Sequence, residues 1–169
     1  MEDCRVSRRG FATRLAVSLP LLGMGRVTAL AAIVAPDGIS HSEEAIHNEV
    51  AFTANRQRVY EAIMDDKKFS ALTGLPATIS RDVGGAFSAF GGQIAGRNVE
   101  LVPNERIVQA WRAEDWEHGT YSIARFALKE RGGGTTLVFD HTGFPKGLGE
   151  QLASGWKEHY WAGLSKYLA

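Results

Sequence analysis

Apolar residues alternate or recur at two different periods along this chain, and the change of period divides it. From Ile46 to Thr53, Val50 and Phe52 alternate with Glu49 and Ala51, which predicts a strand. Asn55 supplies an N-cap oxygen, and Val59, Tyr60, Ile63 and Met64 recur at helical spacing, so a short helix follows. A second short helix caps at Asp65 or Asp66, shows Phe69 and Leu72 on one face, and stops at Gly74 before Pro76. The period then becomes two. Ala77 to Arg81, Ala86 to Phe90, Gln93 to Leu101, Arg106 to Arg112, Tyr121 to Leu128 and Thr135 to His141 are alternating runs. Turn residues such as Gly84-Gly85, Gly91-Gly92, Pro103-Asn104 and Gly132-Gly133-Gly134 separate them, which predicts a meandering antiparallel sheet.

The last segment, Leu148 to Leu168, returns to helical spacing. Leu152, Trp156, His159, Tyr160, Gly163 and Tyr167 fall on one stripe with Leu164 on its flank. That stripe needs an apolar surface, and the sheet supplies it. The expected architecture is α+β: a strand, two short helices, a curved antiparallel sheet of about seven strands in all, and one long C-terminal helix across its concave face. A curved sheet holding one helix leaves a gap where the surfaces diverge.

The first 31 residues have a different layout. A charged start leads into an apolar stretch from Leu15 to Met24, then Arg26 and a small-residue end, Ala29-Leu30-Ala31. Within it Ser7-Arg8-Arg9-Gly10-Phe11 resembles the twin-arginine export motif, with Arg8, Arg9 and Phe11 as its signature. Residues 1–31 are therefore expected to be a twin-arginine signal, 32–45 a linker and 46–169 the folded domain. The twin-arginine translocase would be a partner during export, and the mature protein periplasmic or otherwise exported, or cytoplasmic if the signal does not function. Pro20, Gly23 and Arg26 leave too short an apolar run for a permanent membrane anchor.

Composition adds limits. Of 169 residues, 19 are Lys or Arg and 19 Asp or Glu. The first 31 residues carry five Arg against two acids, and the remaining chain 14 basic against 17 acidic residues. The mature part thus has no basic surplus for phosphates, which argues against a nucleic-acid partner. The one Cys, Cys4, lies in the signal, so the mature domain has no thiol nucleophile or thiolate ligand. His41, His47 and His118 have no metal-ligand spacing, and the glycine pairs precede no helix as a phosphate loop requires; no metal and no cofactor is expected.

Gly84-Gly85-Ala86-Phe87, Gly92 through Ile94 to Gly96, Leu101-Val102-Pro103, Ile107-Val108, Trp111-Arg112, and Trp116 with Gly119 carry a family resemblance. So do Gly134-Thr135, Gly143-Phe144-Pro145, Gly155-Trp156, Tyr160-Trp161 and Gly163-Leu164. Together they resemble the activator of heat-shock protein 90 ATPase homologue family, within the START-like (SRPBCC, birch-pollen-allergen-like) superfamily, from about Ala51 to Leu168. The resemblance implies a helix-grip fold that binds hydrophobic ligands between sheet and helix and in some members catalyses cyclisation or dehydration.

With the strand phases that resemblance and alternation suggest, Ser122, Ala124, Phe126 and Leu128 face the helix, as do Leu137, Phe139 and His141. The expected pocket residues are Phe87, Trp111, Phe126, Phe139, His141, Trp156, His159 and Tyr160. His141 and His159 are expected to meet near one end of the pocket. They are the candidates for acid–base chemistry, with Tyr160 as a hydrogen-bond donor. Three functions remain open: a carrier of a small hydrophobic ligand without bond chemistry, an enzyme on a hydrophobic carbonyl compound, and a module stimulating a heat-shock protein 90 type ATPase. An export signal argues against a cytoplasmic chaperone partner.

Overall fold

The computed structural model describes residues 44–169. The expected export signal and most of the expected linker lie outside the described residues. β1 (Ala45–Phe52) leads into α1 (Arg56–Met64) and α2 (Asp66–Thr73). β2 (Thr78–Ile79), β3 (Ala86–Ala89), β4 (Ile94–Val102), β5 (Arg106–Ala113), β6 (Ser122–Arg131) and β7 (Gly134–Thr142) follow. They form one seven-stranded sheet in the order β1-β7-β6-β5-β4-β3-β2. Every pairing is antiparallel, so the chain meanders and closes by laying β1 beside β7.

Local chemistry sets the element ends. The Asn55 side chain accepts the Arg58 N–H at 2.9 Å to start α1, and Asp65 accepts the Lys68 N–H at 3.0 Å to start α2. Gly74, at φ 74°, then ends α2 in the left-handed conformation that a side chain would strain. The alternation in β6 and β7 has the expected phase. Ala124, Phe126, Leu137, Phe139 and His141 are fully buried beneath the C-terminal helix.

The helix is a single rod with a defect in the middle. α3 (Gly149–Gly155) passes into a wider turn, Trp156–Trp161, and then into α4 (Ala162–Leu168). In the wide turn the Ala162 N–H donates to the Lys157 carbonyl five residues back, which is π-type bonding. At 3.6 residues per turn, positions 156 and 161 would lie about 140° apart. The wider turn brings both to one side, so Trp156, Tyr160 and Trp161 are all buried. Past the defect the inner positions are Leu164 and Leu168. The regular stripe expected from the sequence is thereby corrected: Tyr167 is 38% exposed and His159 is exposed.

Two further differences matter. The expected strand 77–81 pairs over Thr78–Ile79 only, because Asn98 holds the carbonyls of Ser80 and Asp82 through its amide. Phe90, expected as a strand residue, instead opens a tight turn (Phe90–Gly92) with φ 53°, followed by Gly91 at 71° and Gly92 at 103°. A left-handed phenylalanine is an outlier that its surroundings must enforce. Edge-on packing against Phe69 at 5.4 Å and Tyr160 at 5.1 Å supplies that enforcement.

Candidate functional site: the sheet-to-helix cleft

A chain of hydrogen bonds joins helix to sheet in the core. Trp156 Nε1–H donates to His141 Nδ1 at 3.0 Å. An indole can only donate, so Nδ1 is bare and the imidazole proton sits on Nε2. Nε2–H then donates to Ser122 Oγ at 2.6 Å, and the Ser122 hydroxyl donates to the Trp111 carbonyl at 3.1 Å. Both nitrogens of a fully buried ring are thus used in its neutral form. Burial alone pulls the His141 pKa down to about 4.

The aromatic rings around this chain are in contact. Trp156 lies 4.2 Å from both Phe139 and Tyr160, centroid to centroid, and stacks on Trp161 at 5.6 Å. Trp161 Nε1–H reaches Asn48 Oδ1 on β1 at 3.2 Å, fixing the helix to that sheet edge. Aromatic rings thus fill the interior around Trp156 and Trp161.

Toward its first half the rod diverges from the sheet, and a cleft of about 440 Å³ opens. The sheet side contributes Phe90, Gln93 and Ile94 around the tight turn, with Trp111 and Ala113 from β5. The helix side contributes Leu152, Gly155, Trp156 and Tyr160 as floor, with Ser154, Glu158 and His159 toward the mouth. Leu75, 42% exposed, closes one flank. Burial pushes the Tyr160 hydroxyl well above the usual phenol range, opposed only by side-chain hydrogen bonding with the Trp111 indole, which acts as donor. A second, more open depression of about 710 Å³ lies beside β1 and the start of α3. Glu44 already spans it, accepting the N–H groups of Gly147 at 3.0 Å and Gly149 at 3.1 Å.

Of the candidate residues, the cleft brings together Trp111, Trp156, His159 and Tyr160. Phe87, Phe126, Phe139 and His141 do not line it; they are packed in the core. The two histidines do not meet. His141 is held beneath Trp156, whereas His159 is exposed with its ring 6.3 Å from Phe90. The expectation that they share one end of the pocket is corrected for a simple reason: the π-type turn rotates position 159 out of the inner stripe.

Sequence reasoning missed Phe90, Gln93, Leu152 and Gly155 as cleft residues. Leu152 and Gly155 carried a signal, since both lie on the turn preceding Trp156 on the same helix. The turn at Phe90 carried none beyond its two glycines.

The sheet order, the overlying rod and the cleft define a START-like helix-grip domain. The description "Activator of Hsp90 ATPase homolog 1-like protein" matches residues 53–169, and the chain belongs to that family. Human activator of 90 kDa heat shock protein ATPase homolog 1 is 27% identical over 131 residues, 78% of this chain and 39% of that protein. The homologue from Dictyostelium discoideum is 32% identical over 109 residues, 64% of this chain and 28% of that protein. The chain thus spans well under half the length of these relatives. An HSP90 activator from Plasmodium falciparum has the same fold, with a TM-score of 0.71 and 23% identity over 74% of this chain and 96% of that one.

Proposed function

We propose that this protein binds a small, largely apolar molecule in the cleft between sheet and C-terminal helix and performs no bond chemistry on it. The observation that carries the reading is the cleft itself. Its volume of about 440 Å³ lies within the roughly 300–1,000 Å³ of ligand sites, and its walls are aromatic and aliphatic with a few polar tips, as such sites are. Binding is favoured over acid–base catalysis because His141 has both nitrogens committed to Trp156 and Ser122. The test is thermal-shift screening of purified protein against apolar aromatics and lipid extract, with Gly155→Phe as control. Gly155 lines the cleft and an added Cβ there meets nothing within 4 Å, so Phe at this position is expected to occupy the cleft from the helix wall. Stabilisation of the wild type and not of the variant supports the reading; equal response of both removes it.

A second reading has family membership in its favour: stimulation of an Hsp90-type ATPase, the activity in the printed names of the relatives. An ATPase assay with the purified chaperone and this protein tests it. Residues 1–31 are proposed to direct export, on the strength of Arg8, Arg9 and Phe11 followed by an apolar stretch. Cell fractionation of the wild type and an Arg8→Lys, Arg9→Lys variant tests that, and a cytoplasmic location for both would remove export from the account.

A further inference from the structure

The two edges of the sheet are built differently. β2 pairs over two residues and then gives way to the Ser80–Asp82 segment that Asn98 holds, and so short an edge resists further pairing. β1 is eight residues long, in unbroken register with β7 from Ala45 to Phe52, and carries no proline, lysine or bulge. It is the kind of edge to which another strand adds.

The backbone phase of that edge follows from a turn. Gly132 and Gly133, at φ 58° and 84°, make the two-residue hairpin between β6 and β7. The residues that close such a turn, Arg131 and Gly134, exchange both backbone hydrogen bonds. Counting by twos from there, Thr135, Leu137, Phe139 and His141 direct their bonds toward β1, onto Phe52, Val50, Asn48 and Ile46. Ala45, His47, Glu49 and Ala51 therefore aim their N–H and C=O groups away from the sheet. Their side chains are exposed, and no turn or loop among the described residues pairs with those backbone groups. Beside Glu44–Asn48 the open depression of about 710 Å³ keeps the start of the rod off the edge.

Charge selects what lies alongside. On the outer face Arg125, Asp140 and His47 stand in one row across β6, β7 and β1. Asp140 accepts from Arg125 at 3.2 Å and from His47 Nδ1 at 2.7 Å. The row alternates in sign and ends at the edge on His47, so the next place in it suits an acid. A second β1, laid antiparallel about a two-fold axis at Asn48, supplies one. Glu49 of each copy falls opposite His47 of the other, Ile46 opposite Val50, and Ala45 opposite Ala51. His47 and Glu49 both face the edge with their backbone groups, so the same register satisfies the hydrogen bonds, and each contact occurs twice.

We propose that two copies of this chain pair through β1, antiparallel and in the register that sets His47 against Glu49, so that one sheet continues into the other. The pairing is separate from the cleft and from whatever the cleft holds.

Analytical ultracentrifugation of the full chain over a range of concentrations tests it, and the wild type is expected to dimerise. Glu49→Lys, which sets a cation against His47 at both places, is expected to weaken the dimer about tenfold. Glu49→Pro removes an outward N–H that the fold does not use, and is expected to give a folded monomer by circular dichroism. Amide exchange in the wild type supplies a readout that needs no variant. The N–H groups of His47, Glu49 and Ala51 are expected to exchange more slowly as concentration rises, whereas those of Asn48 and Val50, bonded to β7 in either state, stay the same. A wild type that remains monomeric up to about 1 mM overturns the proposal. So does a dimer that both variants leave intact, or protection along β1 without that alternation.

Discussion

The Trp156 indole donates to the bare nitrogen of His141 at 3.0 Å, in a ring with no exposed surface. That contact determines what His141 is: a fixed neutral link between helix, β7 and the Ser122 hydroxyl of β6. Its removal leaves the Trp156 indole N–H without a partner, while Ser122 still donates to the Trp111 carbonyl, and opens a void among aromatic rings. His141→Ala is therefore expected to destabilise the fold by roughly 3–5 kcal/mol, combining a core truncation with an orphaned donor. Urea denaturation measures this, and a loss below about 1 kcal/mol would show that the hydrogen-bond chain contributes little.

The same residue gives stability a pH dependence of defined sign. Its pKa falls from 6.5 to about 4 on folding. Between those values the unfolded chain holds a proton that the folded one does not, so stability is fully present above pH 6.5 and declines as pH is lowered toward 4. The total is about 3 kcal/mol, at no more than about 1.4 kcal/mol per pH unit. Glu61, Asp65 and Glu100 are held below the usual carboxylate range by Lys68 and Arg106 side chains and the Lys68 backbone N–H, so their protonation in the folded state comes later in acid. Denaturant midpoints from pH 7 to pH 5 are expected to fall in the wild type and to fall less in His141→Gln.

Glu44 makes a more modest contribution. Its carboxylate accepts the N–H groups of Gly147 and Gly149, where the C-terminal rod begins and an anion is favoured. Glu44→Ala is expected to cost about 1 kcal/mol and to raise hydrogen exchange in the first turn of α3. Unchanged exchange there would show that the contact does not hold the helix start.

Much of this was legible in the sequence, and the exceptions have physical causes. Alternation, with the phase that the family resemblance suggested, placed Ala124, Phe126, Phe139 and His141 on the inner face, because in a two-residue period each face reads directly once the phase is set. The helix stripe was legible through Trp156 and Tyr160 but failed at His159 and Tyr167. One π-type turn shifts the register of everything after it, and periodicity at 3.6 cannot anticipate a local departure from 3.6. Trp161 was missed as a core residue for the same reason. The buried Asn98–Gln109 pair, joined at 3.1 Å, was invisible because polar residues at inward positions read as outward ones. Half the expected pocket residues proved to be core because the sequence showed which residues face the helix, but not where the rod lies flat on the sheet and where it lifts away.

Gly155 offers a test that separates the cleft from the fold. It sits in regular helical backbone, lines the cleft, and an added Cβ would meet open space. Gly155→Ala is expected to stabilise the protein by about 0.5–1 kcal/mol, since helical glycine gives up more freedom on folding than alanine. A loss of stability would mean that the helix at this point needs the glycine for closer packing than the structure records.

Native mass spectrometry of freshly purified protein, wild type beside Gly155→Phe, is the most direct test of whether the hollow beneath the helix is a binding site. The account predicts that the wild type retains a small organic molecule and that the filled variant emerges bare while still folded. Retention of the same molecule by both would contradict it.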